Sequence, residues 1–255
     1  MNFGNNFAFK QAENNYDGQV SNVATVEGIG KKTLLLLFIT LITSLLMIGT
    51  ILKNGFLPVF LYPIAIIFTT VVQIIMCFSP KKAKSLSIPY AISEGLTIGV
   101  ICGVLEIALP DQGLVIASMA LVITICVFIV GMILYTKGYI TVGRKFYTFL
   151  ICASIGISVA FLVMFITSMV SLFVGGTSFF AMFYSSPLYI LLSVFMCLIA
   201  SLYLIASLAN ADRMVKYGAD VDMEWFGAYC ITLNVIYLFL EVLRLILILV
   251  SRNRD

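Results

Sequence analysis

The chain has 255 residues, of which 62% are hydrophobic and 11% charged, with a net charge of +3 and a mean hydropathy of +1.11. Soluble domains carry about 25% charged residues, so this balance excludes an ordinary water-soluble fold and points to a polytopic membrane protein. Histidine is absent altogether, which removes the usual general base, proton relay and metal ligand, and with them a hydrolase built on serine and histidine.

In chain order, residues 1–30 are polar and rich in asparagine, and they read as a flexible cytoplasmic tail that Phe3, Phe7 and Phe9 anchor locally. The apolar block after it is too long for a signal peptide, and no small-residue cleavage site follows it. Residues 31–255 read as one transmembrane domain. Spans meeting the criterion of about 20 apolar residues fall at 33–52, 55–79, 87–109, 113–135, 147–174, 187–209 and 225–250. Lys53-Asn54-Gly55 makes a tight turn between the first two spans. Pro110-Asp111-Gln112 closes the third span, and Pro187 opens the sixth, where a proline needs no amide partner. No internal repeat is visible, which disfavours an inverted-repeat transporter. The expected fold is all-α, with seven transmembrane helices.

The six cysteines (Cys77, Cys102, Cys126, Cys152, Cys197, Cys230) stand singly in apolar blocks without CxxC spacing. They read as small core hydrophobes, and neither a metal nor a cofactor is expected. Nothing in the charge pattern calls for a nucleic-acid partner. The basic residues set the orientation. With the amino terminus inside, eleven of them, from Lys10 to Lys216, lie on the cytoplasmic side, against Lys53, Arg252 and Arg254 outside. Seven spans then place the carboxyl terminus outside. The two terminal arginines run against this rule, and six spans with a re-entrant last segment would accommodate them.

Ionisable groups at the bilayer centre cost roughly 2.5–3.5 kcal/mol on insertion scales, so each one marks a pair, a pathway or a site. Counted from the inner face, Glu94 on the third span, Asn234 on the seventh, Ser207 on the sixth and Gln73 on the second fall within about two helical turns of one another in depth. They form the candidate ion pathway, with isolated interhelical hydrogen bonds as the alternative for the three neutral members. Ala91, Gly95, Gly99 and Gly103 recur every fourth residue beside Glu94 and read as a helix-packing stripe. In the outer half, Glu241 and Arg244 share a face of the seventh helix and are expected to pair, with Glu106 as a second partner for Arg244. This group is either a structural ion pair or an outer gate. The segment 210–225 reads as a loop carrying Asp212, Asp220, Asp222 and Glu224 at the cytoplasmic mouth. There Asp222 and Glu224 would serve the start of the seventh helix and Trp225 would sit in the interface belt, with cation attraction at a pore mouth as the alternative role of the acids.

Four stretches, ATVEGIGKKTLLLL (24–37), YAISEGLTIG (90–99), MILYTKGYITVGRKF (132–146) and MEWFGAYCITLNVIYLFLEVLRL (223–245), together resemble the Bax inhibitor/YccA-like family of seven-span membrane proteins, in its bacterial branch. The resemblance covers nearly the whole chain. It implies a central seventh helix wrapped by six others, in a bacterial cell membrane. It also implies a pH-sensitive calcium leak governed by two aspartates, one on the sixth helix and one on the seventh. Here the matching positions hold Ser207 and Asn234. Neutral oxygens are poor ligands for Ca²⁺, and a carboxylate pair sharing a proton is missing. Glu94 matches the family's EG pair in the third helix, so pH sensitivity is expected to rest there.

Two functions follow. The first is a passive Ca²⁺ or H⁺ leak lined by Glu94, Asn234, Ser207 and Gln73. The second is a membrane-embedded regulator that binds a membrane protease or another membrane protein, as YccA-like relatives do. An enzyme is not expected, because no nucleophile–base pair is visible.

Overall fold

The computed structural model describes residues 23–55, 60–137, 139, 142–174 and 187–252. Seven long helices run through them: α1 Val26–Asn54, α2 Leu61–Phe78, α3 Ala83–Ala108, α4 Gly113–Thr136, α5 Arg144–Val174, α6 Pro187–Lys216 and α7 Met223–Arg252. Each contains a stretch long and apolar enough to cross a membrane. The expected seven-span, all-α architecture is therefore present, and the chain is a multi-pass membrane protein. In lipid the helix satisfies every backbone amide within its own segment, which is why apolar blocks of this length become helices. The tail anchors Phe3, Phe7 and Phe9 lie outside the described residues.

Two boundaries differ from the sequence reading. The first helix begins at Val26, inside the stretch assigned to the tail, because Thr25 caps it: its hydroxyl accepts the Gly28 amide at 3.0 Å. The sixth helix runs on through Asn210 to Lys216, so the first part of the expected mouth loop is helical. It stops at Gly218, whose φ of 69° is open to a residue without a side chain. There the Ala219 amide reaches back to Met214 O at 3.1 Å and the Gly218 amide to Val215 O at 3.0 Å, a Schellman-type close.

The chain divides into two compact units, Met1–Val115 with Asn210–Leu233 and Ile116–Ala209 with Asn234–Asp255. In the first unit α1 and α3 run parallel in close contact. Thr40 Oγ1 donates to Ala91 O at 3.2 Å across this seam. A Cβ on Gly95 would meet Thr40 O at 2.6 Å, and one on Gly99 would meet Ser44 O at 2.7 Å. The small-residue stripe of α3 is thus the surface on which α1 lies. Ser93 Oγ ties α3 to α2 through Ala65 O at 3.0 Å. In the second unit α5 and α6 exchange bonds: Tyr203 OH donates to Leu150 O at 3.2 Å and Tyr147 OH to Ala206 O at 3.5 Å. Leu150, Ile199 and Ala206 form the core between them. Phe149, Ile155, Leu162 and Phe165 of α5 stay exposed on the protein surface, as lipid-facing residues do.

Candidate functional site

Glu94 lies in the interior of α3 and is 9% exposed. One turn earlier on the same helix, Tyr90 is fully buried, and its hydroxyl has Glu94 and Gln73 of α2 as hydrogen-bonding neighbours. Tyr229 of α7 stands edge-on to Tyr90, with ring centroids 4.8 Å apart at 77°, and it too lies in the field of Glu94. Val72, Met76 and Ala83 close the cluster around the two tyrosines, with Trp225 and Phe226 packed against it. The carboxylate therefore sits on an aromatic, largely apolar floor built by three helices. Among the described residues no lysine or arginine is paired with it. A buried carboxylate beside hydroxyl and amide groups, without a paired cation, can take a proton or receive a cation.

Of the four residues expected to line one pathway, the structure brings Glu94 and Gln73 together. Ser207 and Asn234 belong to the second unit. Ser207 is buried, and its hydroxyl donates within its own helix to Leu204 O at 2.7 Å. Asn234 is half-buried on α7.

The outer group is as expected in one pair and different in the other. Arg244 Nη1 reaches both oxygens of Glu241, at 3.1 and 3.2 Å, and Glu241 is 6% exposed. Arg244 Nε donates to Tyr189 OH of α6 at 3.1 Å, a partner 55 residues away that the local pattern did not signal. Glu106 has another role. Its oxygens accept the amides of Asp111 at 3.0 Å and Leu114 at 2.6 Å. It thereby holds Asp111 at a φ of 63° and caps the start of α4 from the end of α3. An acid near a helix end finds free backbone amides close at hand, and they take it before a distant arginine does.

The four acids of the expected cytoplasmic mouth are mostly engaged in ties. Asp212 is on α6 and binds Lys216, four residues on, at 2.7 Å. The backbone of Asp220 forms an antiparallel bridge with Val23, while its residue stays exposed. Asp222 pairs with Lys84 at 2.9 Å. Glu224, in the first turn of α7, is only 4% exposed. It accepts the Thr25 amide at 2.7 Å, the Thr25 hydroxyl at 3.1 Å and Lys32 Nζ at 2.7 Å. Lys32 also lies over the Trp225 ring, 5.2 Å from its centroid, and Ala24 N donates to Ala219 O at 2.8 Å. Glu224 thus clasps the start of α1 to the start of α7. Sequence reasoning missed this clasp, since Lys32 and Glu224 are 192 residues apart. It also missed Tyr90, for which a signal existed: the tyrosine lies four residues from Glu94, on the same helix face.

A family model described as Bax inhibitor 1 like matches residues 3–251. No curated protein and no solved structure matches the chain.

Proposed function

We propose, as the chain belongs to the Bax inhibitor 1-like family, that it is a passive leak for protons or calcium whose pH-responsive group is Glu94. One observation carries the reading: a carboxylate inside a membrane-spanning helix is buried beside Tyr90, Gln73 and Tyr229, without a basic partner among the described residues. Such a group is costly unless it exchanges protons or meets a cation, so its presence marks a pathway. Ser207 and Asn234, at the positions where the family resemblance expects aspartates, supply neutral oxygens, which favours the proton over Ca²⁺. The excess of lysine and arginine on one side supports an orientation with the amino terminus in the cytoplasm. In that orientation Glu94 lies in the cytoplasmic half of its helix. The protein acts by conduction and carries out no bond chemistry.

Flux in proteoliposomes across mildly acid to neutral pH tests this directly. The wild type is expected to carry a pH-dependent H⁺ or Ca²⁺ flux above that of empty liposomes, and Glu94→Gln is expected to abolish it. Equal flux in both proteins would reject Glu94 as the sensor. The absence of flux from both would reject the leak and favour the other reading, a regulator that binds a membrane protein.

A further inference from the structure

Within the first compact unit, α3 and the first part of α7 run side by side from the same end. Ser87 Oγ reaches Trp225 O at 3.5 Å, and one turn further along both helices Tyr90 meets Tyr229. Glu94 follows Tyr90 by one more turn of α3. Counted from the starting end of the two helices, the order is the clasp at Glu224 and Trp225, then the two tyrosines, then Glu94. Trp225 and Phe226 pack against the cluster that holds both tyrosines. An aromatic layer therefore stands between Glu94 and that end of the helices.

The layer is apolar, but the residue at its outer edge is held by polar ties. Lys32 lies over the Trp225 ring, 5.2 Å from its centroid, and bonds the neighbouring Glu224 at 2.7 Å. Thr25 gives the same carboxylate its amide and its hydroxyl. The carboxylate occupies space that Gly28 leaves open, since a Cβ there would fall on its oxygens. The Lys32 side chain is 21% exposed, so the clasp borders the surface while Glu224 itself is buried. Ties at such an edge open locally at a fraction of the cost of unfolding. When Lys32 releases, Glu224 becomes a buried charge without a counter-charge. It is then drawn toward water, together with the first turn of α7.

We propose that the Lys32–Glu224 clasp is a latch that controls access to the Glu94 pocket. Closed, as in this structure, it holds Trp225 against the Tyr90–Tyr229 pair and keeps water and cations from Glu94. Open, it frees the first turn of α7 and admits them. The latch rests on the reading of Glu94 as the proton- or cation-exchanging group, and it supplies the control that a leak of this kind requires.

Thiol labelling reads access to the pocket without relying on flux. Full-length Glu94→Cys is placed in lipid nanodiscs, which leave both faces open to a small charged thiol reagent, and mass spectrometry resolves the labelled positions. Cys102, buried two turns further along α3, reports unfolding. With the latch intact, position 94 is expected to react slowly. Gly28→Ala displaces the carboxylate and leaves every charge in place, whereas Lys32→Met removes the cation. Each is expected to speed labelling at position 94 by at least about tenfold while Cys102 is unchanged. Lys32→Arg, which keeps the cation, is expected to label as slowly as the latched protein. Gly28→Ala keeps the test decisive if Lys32→Met does not fold. A rate at position 94 that Gly28→Ala leaves unchanged, or a rise that Cys102 matches, overturns the latch. Fast labelling with the latch intact overturns it too. A wild type without flux rejects the leak alone, and the labelling rates still decide the latch.

Discussion

Glu224 on α7 receives a lysine, a backbone amide and a hydroxyl, whereas Glu94 on α3 lies beside Tyr90, Gln73 and Tyr229 with no cation paired to it among the described residues. Both are buried, and both border the aromatic cluster that contains Tyr90, Tyr229 and Trp225. The difference separates structural from functional acid. A buried carboxylate supplied with a cation and hydrogen bonds stays ionised and holds helices in place. One that lacks a cation must change its own state when its surroundings do.

The comparison is broken most easily at Lys32. Lys32→Met keeps the stem over Trp225 but leaves Glu224 buried without its cation. Removing one member of a buried pair costs roughly 3–5 kcal/mol, and the partial exposure of Lys32 places this variant near about 3 kcal/mol. Trp225 is the only tryptophan in the chain, so denaturant unfolding followed by its fluorescence reads the loss. A change below about 1 kcal/mol would demote the clasp to a surface ion pair.

A smaller effect is expected at the seam that carries Glu94. Gly99→Ala drives a Cβ against Ser44 O and the Met47 side chain, and overpacking of this kind costs about 1–3 kcal/mol. Gly49→Ala, on α1 with nothing within 4 Å, is the control, expected to be stabilising by about 0.5–1 kcal/mol. Equal behaviour of the two alanines would mean that the parallel α1–α3 contact is absent in the membrane. The smallest effect belongs to Glu94→Gln, whose stability is expected to match the wild type or exceed it slightly, since it removes a buried charge that no cation balances. A large loss there would place Glu94 in the same class as Glu224 and erase the distinction.

The seven spans, the packing stripe on α3 and the Glu241–Arg244 pair were all legible in the sequence, and for one reason. Each depends on residues a few positions apart, or on the length of an apolar run, and the helix converts such spacing directly into a shared face. Gln73 beside Glu94 was partly legible, because equal depth along two spans narrows the choice without fixing it. The roles of the mouth acids are not legible in the sequence, where segment 210–225 reads as a loop. Its first seven residues continue α6, and Glu224 turns inward toward Lys32. The role of Glu106 is hidden for a different reason: a charge near a helix end looks the same in sequence whether it caps a backbone or pairs with a side chain.

By itself, then, the sequence determined the membrane class, the number of helices and the positions of the acids within them, since hydrophobicity and helical period are local properties that lipid enforces on any chain. Only the tertiary structure decided which acids are neutralised. Whether a carboxylate meets Lys32, a pair of amides, Arg244 or nothing but a tyrosine depends on contacts between residues as much as 199 positions apart, and helix packing, which the local pattern does not encode, brings those residues together.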